Sequence, residues 1–303
     1  MKPKVIVIVG PTASGKTDLS IRLAKELNGE IISADSMQIY KKMTIGTAKP
    51  TQEEMQGIIH HMIDIIEPNE SFNVAKYKEM AEEKIEEILS KGKQPIIVGG
   101  TGLYVDTLVK GIEFFDIEND FEYRNKLEEE TKLKGIDWLH DELKKVDPVA
   151  AENIEKNNVR RVIRALEIYK VTGKTKTELD KESVKGSKYD YYVFGLLWDR
   201  EELYKRINLR VDIMLEMGLI EEVKSLIQNE GFSKTSLQGL GYKEVIEYIE
   251  GIISYEEMIE KIKMETRRYA KRQMTWFKKN KNIVWLDAKN KDEIFESVIK
   301  VIK

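Results

Sequence analysis

KVIVIV-GPTASGKT, residues 4–17, is the stretch on which the reading of this chain turns. Its first six residues form an unbroken, largely β-branched run, the composition of a strand buried on both faces. The next eight match G-x-x-x-x-G-K-[ST], with a strand before and a helix after, the context this pattern requires. Physical chemistry accounts for the residue types. Gly10 and Gly15 let backbone N–H groups turn inward around phosphate oxygens, the helix N-terminus adds positive potential, and Lys16 supplies a point charge. Pro11, Thr12, Ala13 and Ser14 complete the turn, and the Thr17 hydroxyl is the expected ligand of Mg²⁺. A di- or triphosphate is thus the expected ligand, while the group transferred stays open. Most such loops hold ATP or GTP, so a small-molecule or nucleotide kinase of this architecture is one reading.

Outward from that stretch, Leu19, Leu23, Ala24 and Leu27 recur at helical spacing until Asn28-Gly29 stops the helix. Residues 30–34 read as a second strand, residues 73–91 as a long amphipathic helix, and residues 95–98 as a short apolar strand closed by Gly99-Gly100. This alternation predicts an α/β fold: a phosphate-loop core built on a parallel sheet with helices on both faces. From about Glu113 to Asp190 the chain is charged and helical in period, without a buried strand. We therefore read residues 113–190 as an inserted all-helical domain, and residues 1–112 with 191–303 as the core. Residues 191–198 and 283–286 complete the sheet. Asp199 with Glu202, and Ser254 with Glu257, have capping-box spacing; the second opens a helix that runs to about Lys279.

Composition removes several classes of function. The 303 residues include no cysteine, which excludes disulfides, thiolate metal sites and cysteine nucleophiles. The apolar run at the start is too short to span a membrane and lacks a small-residue cleavage site, so no membrane association and a cytoplasmic location are expected. A formal net charge of -3 offers no global attraction for nucleic acid. An RNA partner would need local basic patches. Arg160, Arg161 and Arg164 form one; Arg267, Arg268, Lys271 and Arg272 form another, followed by Trp276 and Phe277. Each patch reads either as a solvated helix face paired with nearby Glu or as a track for phosphates. Trp276 and Phe277 read as core. His60 and His61, adjacent and without a third partner, read as structural residues and not as metal ligands.

In an open parallel sheet, ligands sit beyond the carboxyl ends of the strands. Two more segments end strands there: DSMQIY at residues 35–40, with IGTAKP at 45–50, and GGTGLY at 99–104. Asp35 could bind metal or take a proton from a nucleophile, and Thr101 could approach a leaving diphosphate. Blander readings stand beside these: a turn or cap for the aspartate, a tight connection for the glycine pair.

Taken in order, these motifs resemble the bacterial tRNA dimethylallyltransferase, or tRNA isopentenyltransferase, family. The resemblance runs through GPTASGKT, DSMQIY, IGTAKP, HHMID at residues 60–64, GGTGLY, DPVAAENI at 147–154, RRVIRALE at 160–167, GYKE at 241–244 and AKRQMTWF at 270–277. It implies transfer of the dimethylallyl group from dimethylallyl diphosphate to the exocyclic amine of the adenosine 3′ of the anticodon, with Mg²⁺ and release of diphosphate. It further implies Asp35 as general base and Thr101 at the reacting end of the substrates. Residues 10–17 then hold the diphosphate, with charge added by Arg206 or Arg210. The same resemblance implies tRNA contacts at Asp35, Ser36, Met37 and Gln38, at Arg160, Arg161, Val162, Ile163 and Arg164, and at Gln238 and Gly241. The partners are the anticodon stem-loop of tRNA and the prenyl donor, with the enzyme expected as a monomer. Because the target base must leave its stack to reach a phosphate pocket, a channel through the core is expected.

Overall fold

The computed structural model describes residues 2–302. Six strands form one sheet: β1 (Lys4–Val9), β2 (Gly29–Ser33), β3 (His60–His61), β4 (Gln94–Gly99), β5 (Asp190–Leu197) and β6 (Val284–Asp287), in the order β3-β2-β4-β1-β5-β6. Every neighbouring pair is parallel. Parallel neighbours cannot be joined by hairpins, so helices carry the crossovers. Before the helical unit these are α1 (Lys16–Glu26), the single turn α2 (Gln52–Met55), α3 (Val74–Ser90) and α4 (Gly102–Lys110).

The alternation within β1 explains its unbroken apolar sequence. Val5, Val7 and Val9 enter one core with residues of α3 and α4, whereas Ile6 and Ile8 enter a second core with Leu19, Leu23 and Ala24 of α1. These five side chains are 0% exposed, and only Lys4 of β1 is exposed. Full burial of a side chain of this size contributes about 1.5–3 kcal/mol relative to exposure, so both faces of β1 stabilise the sheet.

The chain divides into two compact units. One runs up to Val109 and resumes at Ser187; the other is Lys110–Gly186. The second unit is helical: α5 (Phe121–Lys134), α6 (Ile136–Val146), α7 (Pro148–Asn153), α8 (Val159–Thr172) and α9 (Lys176–Ser183). Its two ends are pinned together where Ile112 bridges Val184. Leu139, Leu143, Val162 and Leu166 centre its core. Asp147 caps α7 through the Ala150 amide and also accepts from the Thr177 amide and hydroxyl, while the buried Glu167 is held by Arg124, Arg164 and the Asp120 amide. The boundary near Asp190 falls earlier than residue 190 because Asp190 is already paired with Lys4 as the first residue of β5.

After β5 follow α10 (Arg200–Glu216), α11 (Leu219–Asn229), a 3-10 turn at Ser236–Gln238, α12 (Tyr242–Ile249) and α13 (Tyr255–Phe277); α14 (Lys291–Ile302) follows β6. The Ser254–Glu257 capping box opens α13. Phe277 lies in the core, with Trp276 packed against it. The edge strand β3 has no counterpart among the strands read from sequence. It is the His60–His61 pair beside Ile31 and Ile32. His61 Nε2 meets the buried Glu30 carboxylate at 2.6 Å, and His60 Nδ1 meets the Ile58 carbonyl at 2.9 Å.

At the carboxyl ends of β2 and β4 the strands nearly touch: a Cβ on Gly99 would lie 2.1 Å from the Ala34 carbonyl oxygen. Gly99→Ala should therefore cost about 1–3 kcal/mol or more, read as a lower denaturant midpoint at unchanged m-value.

Candidate active site

The Gly10–Thr17 loop leaves β1 at the middle of the sheet. Gly15 adopts φ 90° to open α1, and Ala13 is held at φ 61°, a region alanine rarely enters. Such strain persists where the surroundings over-determine it. Here Arg206 Nε donates to the Ala13 carbonyl at 2.8 Å and Trp198 Nε1 donates to the Ser14 carbonyl at 2.9 Å. The Arg206 guanidinium lies 4.5 Å from the Trp198 ring centroid, and Ala13 packs against Leu203, Ile207 and Ala270. With these carbonyls bound by α10 and its N-terminal flank, the amides of Ala13, Ser14 and Gly15 make no hydrogen bond among the described residues. The Ser14 hydroxyl, 2% exposed, also has no partner. Buried donors left unbonded in a row mark a place for an acceptor.

Lys16 Nζ folds back onto the carbonyls of Gly10 and Pro11 at 3.1 and 2.7 Å. Its pKa is pushed down to about 8, first by burial, then by the positive charge of Arg210, against an opposing pull from Asp35. Arg210 is itself pushed down by burial and by Arg206. The two arginines left open by the sequence thus differ: Arg206 braces the loop, and Arg210 bears electrostatically on Lys16.

Asp35 follows β2. Its Oδ1 accepts from the amides of Met37 (2.9 Å) and Gln38 (3.4 Å), and Oδ2 has no hydrogen bond among the described residues. Thr101 is tied to the same turn, its Oγ1 accepting from the Ser36 amide at 3.0 Å and lying 3.3 Å from Ser36 Oγ. Burial raises the pKa of Tyr104 and Tyr269, and the negative charge of Asp35 raises both further. Asp35, Thr101, Lys16 and the two tyrosines therefore belong to one electrostatic neighbourhood.

Gln38 turns the other way. Its Nε2 lies 3.3 Å from the carbonyls of Thr47 and Ala48, and its Oε1 accepts from the Ser33 hydroxyl at 3.1 Å. That second loop is fixed by Glu222 of α11, whose carboxylate collects the amides of Thr44, Ile45 and Gly46 and the Tyr242 hydroxyl. Gly241 is buried at the start of α12 with φ 91°, while Gln238 is exposed in the preceding turn. Lys49 and Asp64 of the neighbouring motifs form an ion pair.

In the helical unit, Arg160 and Arg161 are exposed on α8, and their side chains make no ion pair or hydrogen bond among the described residues. Arg164 pairs with the buried Glu167 at 2.5 Å. Val162 and Ile163, expected as contacts, are 0% and 4% exposed in the helical core. Their side chains pack inward because α8 is amphipathic, so the basic side chains of this stretch lie on its other face.

Sequence reasoning missed Trp198, Glu222, Tyr269 and Gln273. Gln273 is 5% exposed and bonds both the Thr12 amide (2.9 Å) and the Gly100 carbonyl (3.0 Å). It carried one signal: a polar residue in the buried stripe Thr266, Ala270, Gln273, Phe277. The others carried none, since their partners are remote in sequence.

A family model described as IPP transferase matches residues 38–280. A tRNA dimethylallyltransferase of Acetivibrio thermocellus is 55% identical, over 99% of this chain and 95% of that protein. The crystal structure of a tRNA isopentenylpyrophosphate transferase of Bacillus halodurans is similar at a TM-score of 0.76 and 47% identity, covering 99% of this chain and 96% of that one. A eukaryotic dimethylallyltransferase acting on tRNA superposes at a TM-score of 0.80 and 36% identity, over 94% of this chain and 74% of that one.

The depressed Lys16 pKa has a sign. The folded state binds fewer protons than the unfolded one between about pH 8 and the ordinary lysine value, so a charged Lys16 destabilises the unliganded protein at neutral pH, and this cost fades as pH rises. Lys16→Met should raise the melting temperature of the unliganded protein, by at most about 3 kcal/mol in stability, while abolishing diphosphate binding. Calorimetry and titration with inorganic diphosphate test both halves.

Proposed function

This chain belongs to the IPP transferase family of tRNA dimethylallyltransferases, and we propose that it moves a dimethylallyl group from its diphosphate to the exocyclic amine of the adenosine 3′ of the anticodon. The observation that carries this reading is that the phosphate loop after β1, Asp35 after β2 and Thr101 after β4 leave the same edge of the parallel sheet, with Thr101 bonded into the Asp35 turn and Asp35 bearing electrostatically on Lys16. A kinase of this architecture would also use Asp35, as base for a hydroxyl acceptor, and differs in needing ATP.

In the proposed reaction the amine nitrogen attacks the first carbon of the donor and the carbon–oxygen bond to diphosphate breaks, its electron pair leaving on the phosphate oxygen. The amine proton passes to Asp35, through Oδ2, because Oδ1 is held by two amides. An exocyclic amine is a weak nucleophile, so much of the rate comes from orientation. The allylic carbon tolerates positive charge, so stabilising the departing diphosphate supplies the rest. The unbonded amides at residues 13–15, the Ser14 hydroxyl, Lys16 and Arg210 are the groups for that task, with Gly10, Pro11, Thr12 and Thr17 completing the loop and Arg206 holding it. Mg²⁺ fits at Thr17: its hydroxyl sits in the first turn of α1, is exposed and makes no hydrogen bond among the described residues. Mg²⁺ commonly takes one or two protein oxygens plus phosphates and water; when bound it neutralises charge on the diphosphate.

On the acceptor side, Asp35, Ser36 and Met37 take the base, while Gln38 ties their turn to the loop at residues 47–48; Gln238 and Gly241 are further tRNA contacts. Arg160, Arg161 and Arg164 are positioned for RNA phosphates, Arg164 with its charge shared by Glu167. The enzyme works as a monomer in the cytoplasm, where tRNA is its acceptor. No helix among the described residues is long and apolar enough to cross a membrane.

Labelled dimethylallyl diphosphate should modify unmodified tRNA in the absence of ATP. Product formed only with ATP would move the assignment to a kinase. Asp35→Ala should lower kcat by about 10²–10⁴-fold while leaving tRNA affinity largely intact. Loss of tRNA binding without a separate effect on transfer would contradict the role of Asp35.

A further inference from the structure

We infer that Gln273 is a positioning residue for the transfer, fixing the separation between the diphosphate loop and the turn that carries Thr101, an inference that rests on the reaction assigned above. The helix α13 lays a stripe of buried residues against the site, with Thr266, Ala270, Gln273 and Phe277 exposed by 9%, 0%, 5% and 1%. Three of these four are what a buried stripe admits at little cost: an alanine, an aromatic, and a threonine whose hydroxyl bonds back to the Ile262 carbonyl of its own helix. Gln273 is different. A buried amide costs free energy unless both of its ends are bonded, and both are.

The Oε1 of Gln273 accepts from the Thr12 amide at 2.9 Å, and its Nε2 donates to the Gly100 carbonyl at 3.0 Å. Thr12 belongs to the loop after β1, and Gly100 to the turn after β4. These strands are neighbours, and their ladder ends with Val9 opposite Gly99. Gln273 closes the gap between them. Only a neutral side chain with one donor end and one acceptor end of this reach serves both: a carboxylate has no donor, and an ammonium no acceptor. The space is matched as well, since a Cβ on Gly100 would lie 2.1 Å from Gln273 Nε2. One turn earlier, Tyr269 interacts with both Thr101 and Gln273, so α13 touches the acceptor side at two points.

An in-line displacement proceeds when the reacting atoms are held about 3–3.5 Å apart, and a misplacement of about 1 Å costs on the order of 100-fold in rate. The bridge ties the amide of the donor's loop to the turn bearing Thr101, which in turn bonds the Ser36 amide beside Asp35. Loosening it changes the distance between donor carbon and acceptor amine without removing any group that touches either.

Gln273→Met keeps the volume and removes both bonds. It should lower kcat on the order of 100-fold and weaken inorganic diphosphate about tenfold, with the KM for tRNA unchanged. Gln273→Glu supplies a pH readout. Its carboxylic acid form has a donor and an acceptor, like the amide; its carboxylate has only acceptors and faces the Gly100 carbonyl. The ratio of its kcat to that of the wild type should therefore fall as pH rises, with titrations shared by both enzymes cancelling. Circular dichroism confirms that each variant is folded. A Gln273→Met enzyme that only melts lower, with kcat and diphosphate affinity intact, would overturn the inference, and so would a Gln273→Glu ratio flat with pH. Absence of product from the wild type in the same series would count against the reaction itself; the diphosphate affinities of the wild type and Gln273→Met would then still decide the bridge.

Discussion

A buried ammonium group with too little negative charge around it governs this site. Lys16 is desolvated and repelled by Arg210, and the Asp35 carboxylate favours its charged form. The helix N-terminus behind it, the three unbonded amides and the partnerless Ser14 hydroxyl all present the same positive or donating sign. The loop is therefore built for an anion. A diphosphate satisfies it, and more so as the bond to the prenyl carbon breaks and charge gathers on the leaving oxygens. The interactions that strain the unliganded protein are thus those that grow in the transition state, which is where catalysis draws its energy.

The remainder of the fold keeps that arrangement rigid. The central strand β1, buried on both faces, launches the loop; β2 and β4, pressed together at Gly99 and Ala34, launch the acid and the threonine. Helices contributed after the helical unit supply the braces: Arg206 on α10 with Trp198 just before it, Glu222 on α11 and Gln273 on α13. The motif loops are local in sequence, but their fixed geometry is long-range.

That difference explains what the sequence could tell. The strand, loop and opening helix at residues 4–26 were legible because each signal is short-range: β-branched alternation, glycine spacing and helical period. The change to a helical unit was legible as the loss of buried strands. The edge strand β3 was not, because two histidines give no alternation; their placement follows from His61 meeting Glu30 and from pairing with β2. In RRVIRALE the basic residues drew attention, yet Val162, Ile163 and Leu166 already had the spacing of a buried face, and Glu167 stood three residues after Arg164, where it takes up part of that arginine's charge. Glu222, Trp198 and Gln273 act on backbone groups well over a hundred residues away, and no local pattern announces such a partner.

The central claim is that the acid and the phosphate loop share one cavity and feel each other's charge. The titration of Lys16 by nuclear magnetic resonance, in the wild type and in Asp35→Asn, measures this directly. Because Asp35 supports the charged lysine, its removal should move the Lys16 pKa further below about 8, and inorganic diphosphate should raise it in both proteins. An unchanged Lys16 pKa in Asp35→Asn would place the carboxylate outside the phosphate site and contradict the account.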